Sequence, residues 1–107
     1  MKDVAGMLRS FSYAAYAALF AHAGGRGDDV ERLEPWARAW QLWVGAAFLK
    51  GYLRAAGSAP FLPDDPVQRT ALLNLFVIDK ALYELQYELN NRPDWVRIPL
   101  RGLTELA

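Results

Sequence analysis

The sequence predicts an all-α fold, with three longer helices and a short C-terminal helix packed as an irregular bundle. Apolar residues recur at three- and four-residue steps through most of the chain, which is the spacing of one face of an α-helix. Glycine and proline clusters separate these runs where helices are expected to end. No alternating apolar and polar run predicts a strand, and 107 residues are enough for one small domain.

The first helix is predicted from about Asp3 to Ala23. Asp3 is a suitable N-cap because a carboxylate can accept hydrogen bonds from the free N–H groups of a helix start. The apolar stripe of this helix comprises Val4, Leu8, Phe11, Ala15, Ala18 and Leu19. Gly24, Gly25 and Gly27 should end it, since glycine tolerates the left-handed conformation that follows many helices.

The second helix is predicted to begin within 28–34 and to run to about Ala56, with Pro35 near its start. One of its faces carries Trp36, Trp40, Trp43, Ala47 and Gly51. We interpret this face as core packing, the usual role of a helical apolar stripe. The alternative is a platform on which the tryptophans stack sugars or nucleobases. A loop is expected over 57–63, because Pro60 and Pro63 exclude regular helix.

The third helix is predicted to start near Asp64 or Asp65, with Pro66 in its first turn, and to end at Asn91 before Pro93. Its apolar side is expected to contain Leu72, Leu73, Phe76, Val77, Leu82, Leu85 and Leu89. Residues 92–98 are expected to form an extended connector, after which Pro99 opens a short helix to about Leu106.

Composition excludes several classes of function. The formal net charge is zero, which argues against a nucleic-acid or anionic-membrane partner. The chain has no cysteine, which excludes disulfides, thiol catalysis and cysteine metal sites and is compatible with a cytoplasmic location. His22 is the only histidine, so neither a histidine metal cluster nor a Ser–His–Asp triad can form. Residues 24–27 lack the spacing of a phosphate-binding loop.

The C-terminal half of the third helix carries the most informative face. Lys80, Tyr83, Glu84, Tyr87, Glu88, Asn91 and Arg92 recur at three- and four-residue steps and therefore share one polar-aromatic side. Such a face could bind a polyhydroxylated ligand through carboxylate acceptors, arginine donors and tyrosine stacking. The alternative is that Lys80–Glu84 and Glu88–Arg92 are ordinary surface ion pairs.

Several multi-residue runs, in order along essentially the whole chain, resemble maltokinases, both stand-alone and fused to trehalose synthase. The runs are DVAGMLRSF at 3–11, YAA at 13–15, FLKGY at 48–52, PFLP at 60–63, DKALYEL at 79–85, YELNNRPDW at 87–95 and IPLRGL at 98–103. The resemblance implies the distal helical part of a protein-kinase-like C-lobe. Enzymes of this family transfer the γ-phosphoryl group of ATP to maltose and form maltose 1-phosphate for glycogen synthesis, a route linked to trehalose metabolism.

The resemblance also implies which parts of the enzyme this chain supplies. The nucleotide cradle, the metal-binding aspartate and the catalytic base lie upstream of the 3–11 run in this family. The chain is therefore expected to bind neither ATP nor Mg²⁺, which belong to the parent enzyme, and to be inactive alone. Asp3 is expected to anchor the catalytic loop. The expected sugar contacts are Arg92 first, and then Glu88, Tyr83, Glu84 and Tyr87.

Two kinds of partner follow from these expectations. Within the full enzyme, the chain would contact maltose and the N-terminal kinase portion. The alternative is a stand-alone helical module that binds a partner or self-associates through exposed apolar surface.

Overall fold

The computed structural model describes residues 1–23 and 27–106 and confirms the all-α fold class. Its elements are α1 (Lys2–Ala23), α2 (Gly27–Ala56), α3 (Pro66–Asn91), a 3-10 turn (Pro93–Trp95) and α4 (Arg97–Leu106). No strand occurs within these residues. The predicted turn at Gly24 and Gly25 lies outside them. None of the helices described here combines the length and apolarity needed to cross a membrane.

The central element is α1, which packs against α2, α3 and α4, while α3 also packs against α4. Two clusters of buried apolar residues lie where these helices pack together. The first contains Tyr16, Leu19, Ala23, Val30 and Ile98. The second contains Val4, Ala5 and Leu73, with Phe48, Tyr52 and Phe76 packed around them. The predicted stripe of α1 is therefore largely confirmed, although Ala18 is exposed.

The N-cap predicted for Asp3 is wrong by two positions. The first helical hydrogen bond runs from the Ala5 N–H to the Met1 carbonyl at 3.0 Å, so Asp3 lies inside the first turn of α1. Its negative charge is still favourable there, because the N-terminal end of a helix carries partial positive charge.

The prediction that the tryptophan stripe of α2 packs into the core is wrong. Trp36 and Trp43 are 75% and 80% exposed, and Trp40 is also exposed. The helix turns a different apolar side toward α1, with Val30 buried and Ala37 partly buried in the core. Periodicity identified a real stripe but not which stripe faces inward, because α2 has apolar residues on more than one side.

The predicted position of Pro35 within the second helix is also wrong. It lies inside α2, well after the helix start at Gly27, and not near the beginning. Because proline has no N–H, one backbone hydrogen bond of the α-helical pattern is missing at this point.

The limits predicted for α3 are confirmed. Asp65 is the N-cap, and its side chain accepts a hydrogen bond from the Val67 N–H at 3.0 Å. Pro66 occupies the first turn, where a missing N–H costs nothing. The predicted apolar side is only partly correct, because Leu82 and Leu89 are exposed.

The extended connector predicted over 92–98 is wrong. Pro93 starts a 3-10 turn, in which the Trp95 N–H donates to the Arg92 carbonyl at 2.8 Å, and α4 already begins at Arg97. Pro99 is thus the third residue of α4, still within the first turn that tolerates proline. This compact connection brings α4 back over α1.

Candidate functional site

The predicted polar-aromatic face of α3 divides into a buried side and an exposed side. Glu84 and Glu88 point inward, and Glu88 is 0% exposed. Tyr83 and Tyr87 are exposed. The structure therefore places the five predicted sugar-contact residues on one end of α3 but gives the carboxylates and the aromatic rings different surroundings.

Glu84 forms a buried ion pair with Arg9 of α1. The Arg9 Nε donates to the Glu84 Oε1 at 2.7 Å, and the Arg9 Nη2 reaches the Ile98 carbonyl at 3.5 Å. Burial raises the pKa of Glu84, and the Arg9 guanidinium opposes that effect only in part. The predicted surface pair between Lys80 and Glu84 is thus replaced by a long-range pair that connects α1 to α3.

Glu88 is held by donors from two directions. The Tyr13 hydroxyl donates to Oε2 at 2.9 Å. Arg92 binds both carboxylate oxygens, with Nε donating to Oε1 at 2.9 Å and Nη2 to Oε2 at 3.0 Å. Burial raises the pKa of Tyr13, and its hydrogen bond to Glu88 raises it further. The predicted Glu88–Arg92 pair is present, but its carboxylate is buried and not on the surface.

Arg92 joins this carboxylate to a group of aromatic rings. Its guanidinium carbon lies 4.1 Å from the centroid of the Trp95 ring and 5.7 Å from that of Tyr87. The Lys80 Nζ lies 5.0 Å from the Tyr83 ring centroid. Cations at such distances from an aromatic face are attracted by the ring quadrupole. We call Tyr83, Tyr87, Arg92 and Trp95 the Arg92 ledge.

The Arg92 ledge has the chemistry of a polar ligand site. The Arg92 side chain is 45% exposed, although its carboxylate partner is fully buried. A guanidinium has five N–H donors, so the bidentate pair with Glu88 leaves others for a ligand. The tyrosine rings add apolar faces with hydroxyl groups at their edges. The arrangement can therefore combine donation to hydroxyl oxygens with packing against a ring.

Asp3, the predicted catalytic-loop anchor, is exposed at the start of α1. It lines a shallow depression together with Ser10, Asp79 and Lys80. The structure thus brings Asp3 close to the middle of α3, on a surface distinct from that of Arg92 and Trp95.

Sequence reasoning missed three residues that build this site, namely Arg9, Tyr13 and Trp95. Arg9 and Tyr13 are one helical turn apart on α1, so their side chains project toward the same neighbour. Arg9 lies outside the apolar stripe predicted for α1, so helical periodicity gave no signal for its burial. Nothing local in the sequence indicated that its partner lies 75 residues away.

A second carboxylate cluster connects α1, α2 and α4. Glu34 accepts hydrogen bonds on Oε1 from the Tyr16 hydroxyl at 2.9 Å and from the Arg101 Nε at 2.7 Å, and the Arg97 Nη2 lies 3.5 Å from its Oε2. Burial opposes ionisation of Glu34, but these donors outweigh it and hold its pKa below the ordinary value. The cluster is satisfied internally and fixes α4 on the bundle.

Comparison with known families adds no assignment, because no protein-family model matches the chain. Within residues 1–23 and 27–106, no group of three or more His, Asp or Glu side chains is arranged to hold a metal ion.

Proposed function

We propose that this chain is the distal helical part of a maltokinase C-lobe and that the Arg92 ledge contributes to binding of the acceptor sugar. The family assignment is supported by the multi-residue runs that resemble maltokinases, and the all-α fold is compatible with it. The observation that carries the proposed role is the half-exposed Arg92 side chain, whose guanidinium pairs with buried Glu88 and lies over the Trp95 ring.

Under this proposal, the residues of the ledge bind and orient maltose and do not react. Arg92 donates hydrogen bonds to sugar hydroxyl groups, and the exposed rings of Tyr83 and Tyr87 pack against the sugar. Glu88 and Glu84 act as positioning residues, because their carboxylates already bind Arg92, Tyr13 and Arg9. Rigid support of this kind lowers the entropic cost of binding a ligand.

The chemical step belongs to the parent enzyme. In that enzyme, ATP would supply the phosphoryl group, Mg²⁺ would stabilise its charge, and a catalytic base would accept the proton of the anomeric hydroxyl. No metal-dependent step is assigned to the described residues. The exposed carboxylate of Asp3 is proposed to support the catalytic loop by hydrogen bonding.

A chimera tests this proposal. The corresponding C-terminal segment of a known maltokinase is replaced by this chain, and maltose 1-phosphate is measured by mass spectrometry after incubation with ATP and maltose. We expect product from the chimera and none from the 107-residue chain alone. A chimera that is folded by circular dichroism but forms no maltose 1-phosphate would contradict the family assignment.

The exposed tryptophans favour a second candidate, a helical module that self-associates. Trp36 and Trp43 lie two turns apart on one exposed face of α2, with Trp40 exposed between them. Exposed apolar patches commonly mark interaction surfaces. Analytical ultracentrifugation of the chain distinguishes the cases, with Trp36→Ser/Trp43→Ser as the comparison. Concentration-dependent association lost in that variant supports this candidate, and a monomer at every concentration rules it out.

A further inference from the structure

A row of leucine side chains lies exposed along α3. Leu75, Leu82 and Leu89 are 62%, 52% and 59% exposed. The buried residues of the same helix, among them Leu73 and Ala81, lie on a different side of it. The three exposed leucines follow one another at intervals of seven residues, so they lie in line along about 21 Å of the helix.

The exposed leucines belong to a longer pattern with the spacing of a coiled coil. From residue 71 to residue 89, apolar residues recur at steps of four, three, four, three and four. We call this set the α3 seam, and it consists of Ala71, Leu75, Ile78, Leu82, Leu85 and Leu89. Ile78 and Leu85 are partly buried, and the others are exposed. A seven-residue apolar repeat is the spacing at which one helix packs its side chains between those of a second helix. The occupant that fits the α3 seam is therefore another helix with the same repeat.

The residues beside the α3 seam fit a second copy of this chain. The flanking positions are Asn74 and Ala81 on one side and Asp79 and Gln86 on the other. In an antiparallel pair of helices, each side of one seam faces the same side of the other. Asp79 of one copy then lies beside Gln86 of the other, whose amide can donate to the carboxylate. A parallel pair would instead place two Arg92 cations next to each other, one turn beyond Leu89.

We propose that the α3 seam pairs with the α3 seam of a second copy in an antiparallel dimer with two-fold symmetry. Two-fold pairing uses the same surface of both copies and removes the exposed leucines of both from water. An interface of one helix from each copy is smaller than that of most stable complexes, so we expect a dissociation constant on the order of 100 µM. The dimer is independent of the proposed maltose-binding role and of the tryptophans of α2, because the α3 seam contains none of those residues.

Sedimentation velocity over concentrations on both sides of this dissociation constant tests the dimer. Leu82→Gln should weaken association at least about tenfold, because both copies lose an apolar contact near the centre of the seam. Leu42→Gln is the matched control, since Leu42 of α2 is 53% exposed, and it should leave association unchanged. Equal weakening by the two variants would overturn the proposal. A monomer at every concentration would also overturn it, and is the result expected if a different protein covers the seam.

Disulfide trapping tests the orientation, because the chain has no native cysteine. Leu82→Cys lies near the midpoint of the seam, so the two thiols of an antiparallel dimer should meet and form a disulfide on oxidation. Leu89→Cys lies at one end, and an antiparallel dimer separates its two thiols by about 21 Å, too far for a disulfide. Equally fast disulfide formation in both variants would overturn the antiparallel arrangement.

Discussion

The buried ion pair between Arg9 and Glu84 is predicted to act as one unit in stability. Its atoms lie 2.7 Å apart, and the two side chains are 4% and 9% exposed. In Arg9→Met, the Glu84 carboxylate remains buried without its cation. In Glu84→Leu, the guanidinium remains buried without its anion. Each single change should therefore lower the free energy of unfolding by about 3–5 kcal/mol.

The double variant removes both charges and should recover most of this loss. Replacement of a buried pair by apolar side chains is often neutral, so we expect a net cost of about 0–2 kcal/mol. The two single costs sum to about 6–10 kcal/mol. The double variant should thus be at least about 4 kcal/mol more stable than additivity predicts.

Urea unfolding followed by circular dichroism measures all four proteins. Because small domains are stable by only about 5–15 kcal/mol, a stabilising osmolyte is included in every titration. Lys50→Met is the matched control, since Lys50 is an exposed cation of α2 outside this pair, and it should change stability by less than about 0.5 kcal/mol. Additivity of Arg9→Met and Glu84→Leu within about 0.5 kcal/mol would refute the coupling.

Three further predictions follow from the same contacts. Gly102→Ala should cost about 1–3 kcal/mol in urea unfolding, because the added carbon would lie 2.9 Å from the Arg9 Cζ; an unchanged midpoint would show that Arg9 moves freely. Asp65→Ala should cost about 1 kcal/mol and speed amide exchange in the first turn of α3, since it removes the cap; unchanged exchange there would contradict the capping role. Burial and the hydrogen bond to Glu34 raise the pKa of Tyr16 from 10.0 to about 12. The folded state favours the protonated phenol of Tyr16. This group therefore contributes its full stabilisation of the fold below pH 10, and that stabilisation is lost as the pH rises toward 12. Between pH 9 and 11, the wild-type chain should lose about 1 kcal/mol more stability than Tyr16→Phe, and parallel pH profiles would refute this.

The ends of α3 show what local sequence chemistry predicts well. Asp65 followed by Pro66 combines a capping carboxylate with a residue suited to the first turn, and Pro93 cannot continue the helix. These effects depend only on neighbouring residues, so they survive in the folded chain. Pro35 shows the limit of such local rules. Proline is expected in the first turn of a helix, yet Pro35 lies well inside α2, which begins at Gly27.

Two features could not be predicted from neighbouring residues: which face of α2 packs inward, and which residue pairs with Glu84. Trp36 and Trp43 share a stripe, but α1 packs on another apolar side of the same helix. Glu84 has Lys80 one turn away on its own helix, yet it pairs with Arg9 of α1. In both cases the outcome depends on which helices meet, and single-sequence periodicity does not contain that information.

The most direct test of the proposed function is the effect of Arg92→Ala on the KM for maltose in the active chimera. If the proposal holds, only the sugar contacts the ledge, so Arg92→Ala should raise the KM for maltose about tenfold and leave the KM for ATP unchanged. Arg54→Ala, an exposed arginine at the end of α2, should change neither constant. Equal KM values for maltose in the Arg92→Ala and parent chimeras would contradict sugar binding at the Arg92 ledge.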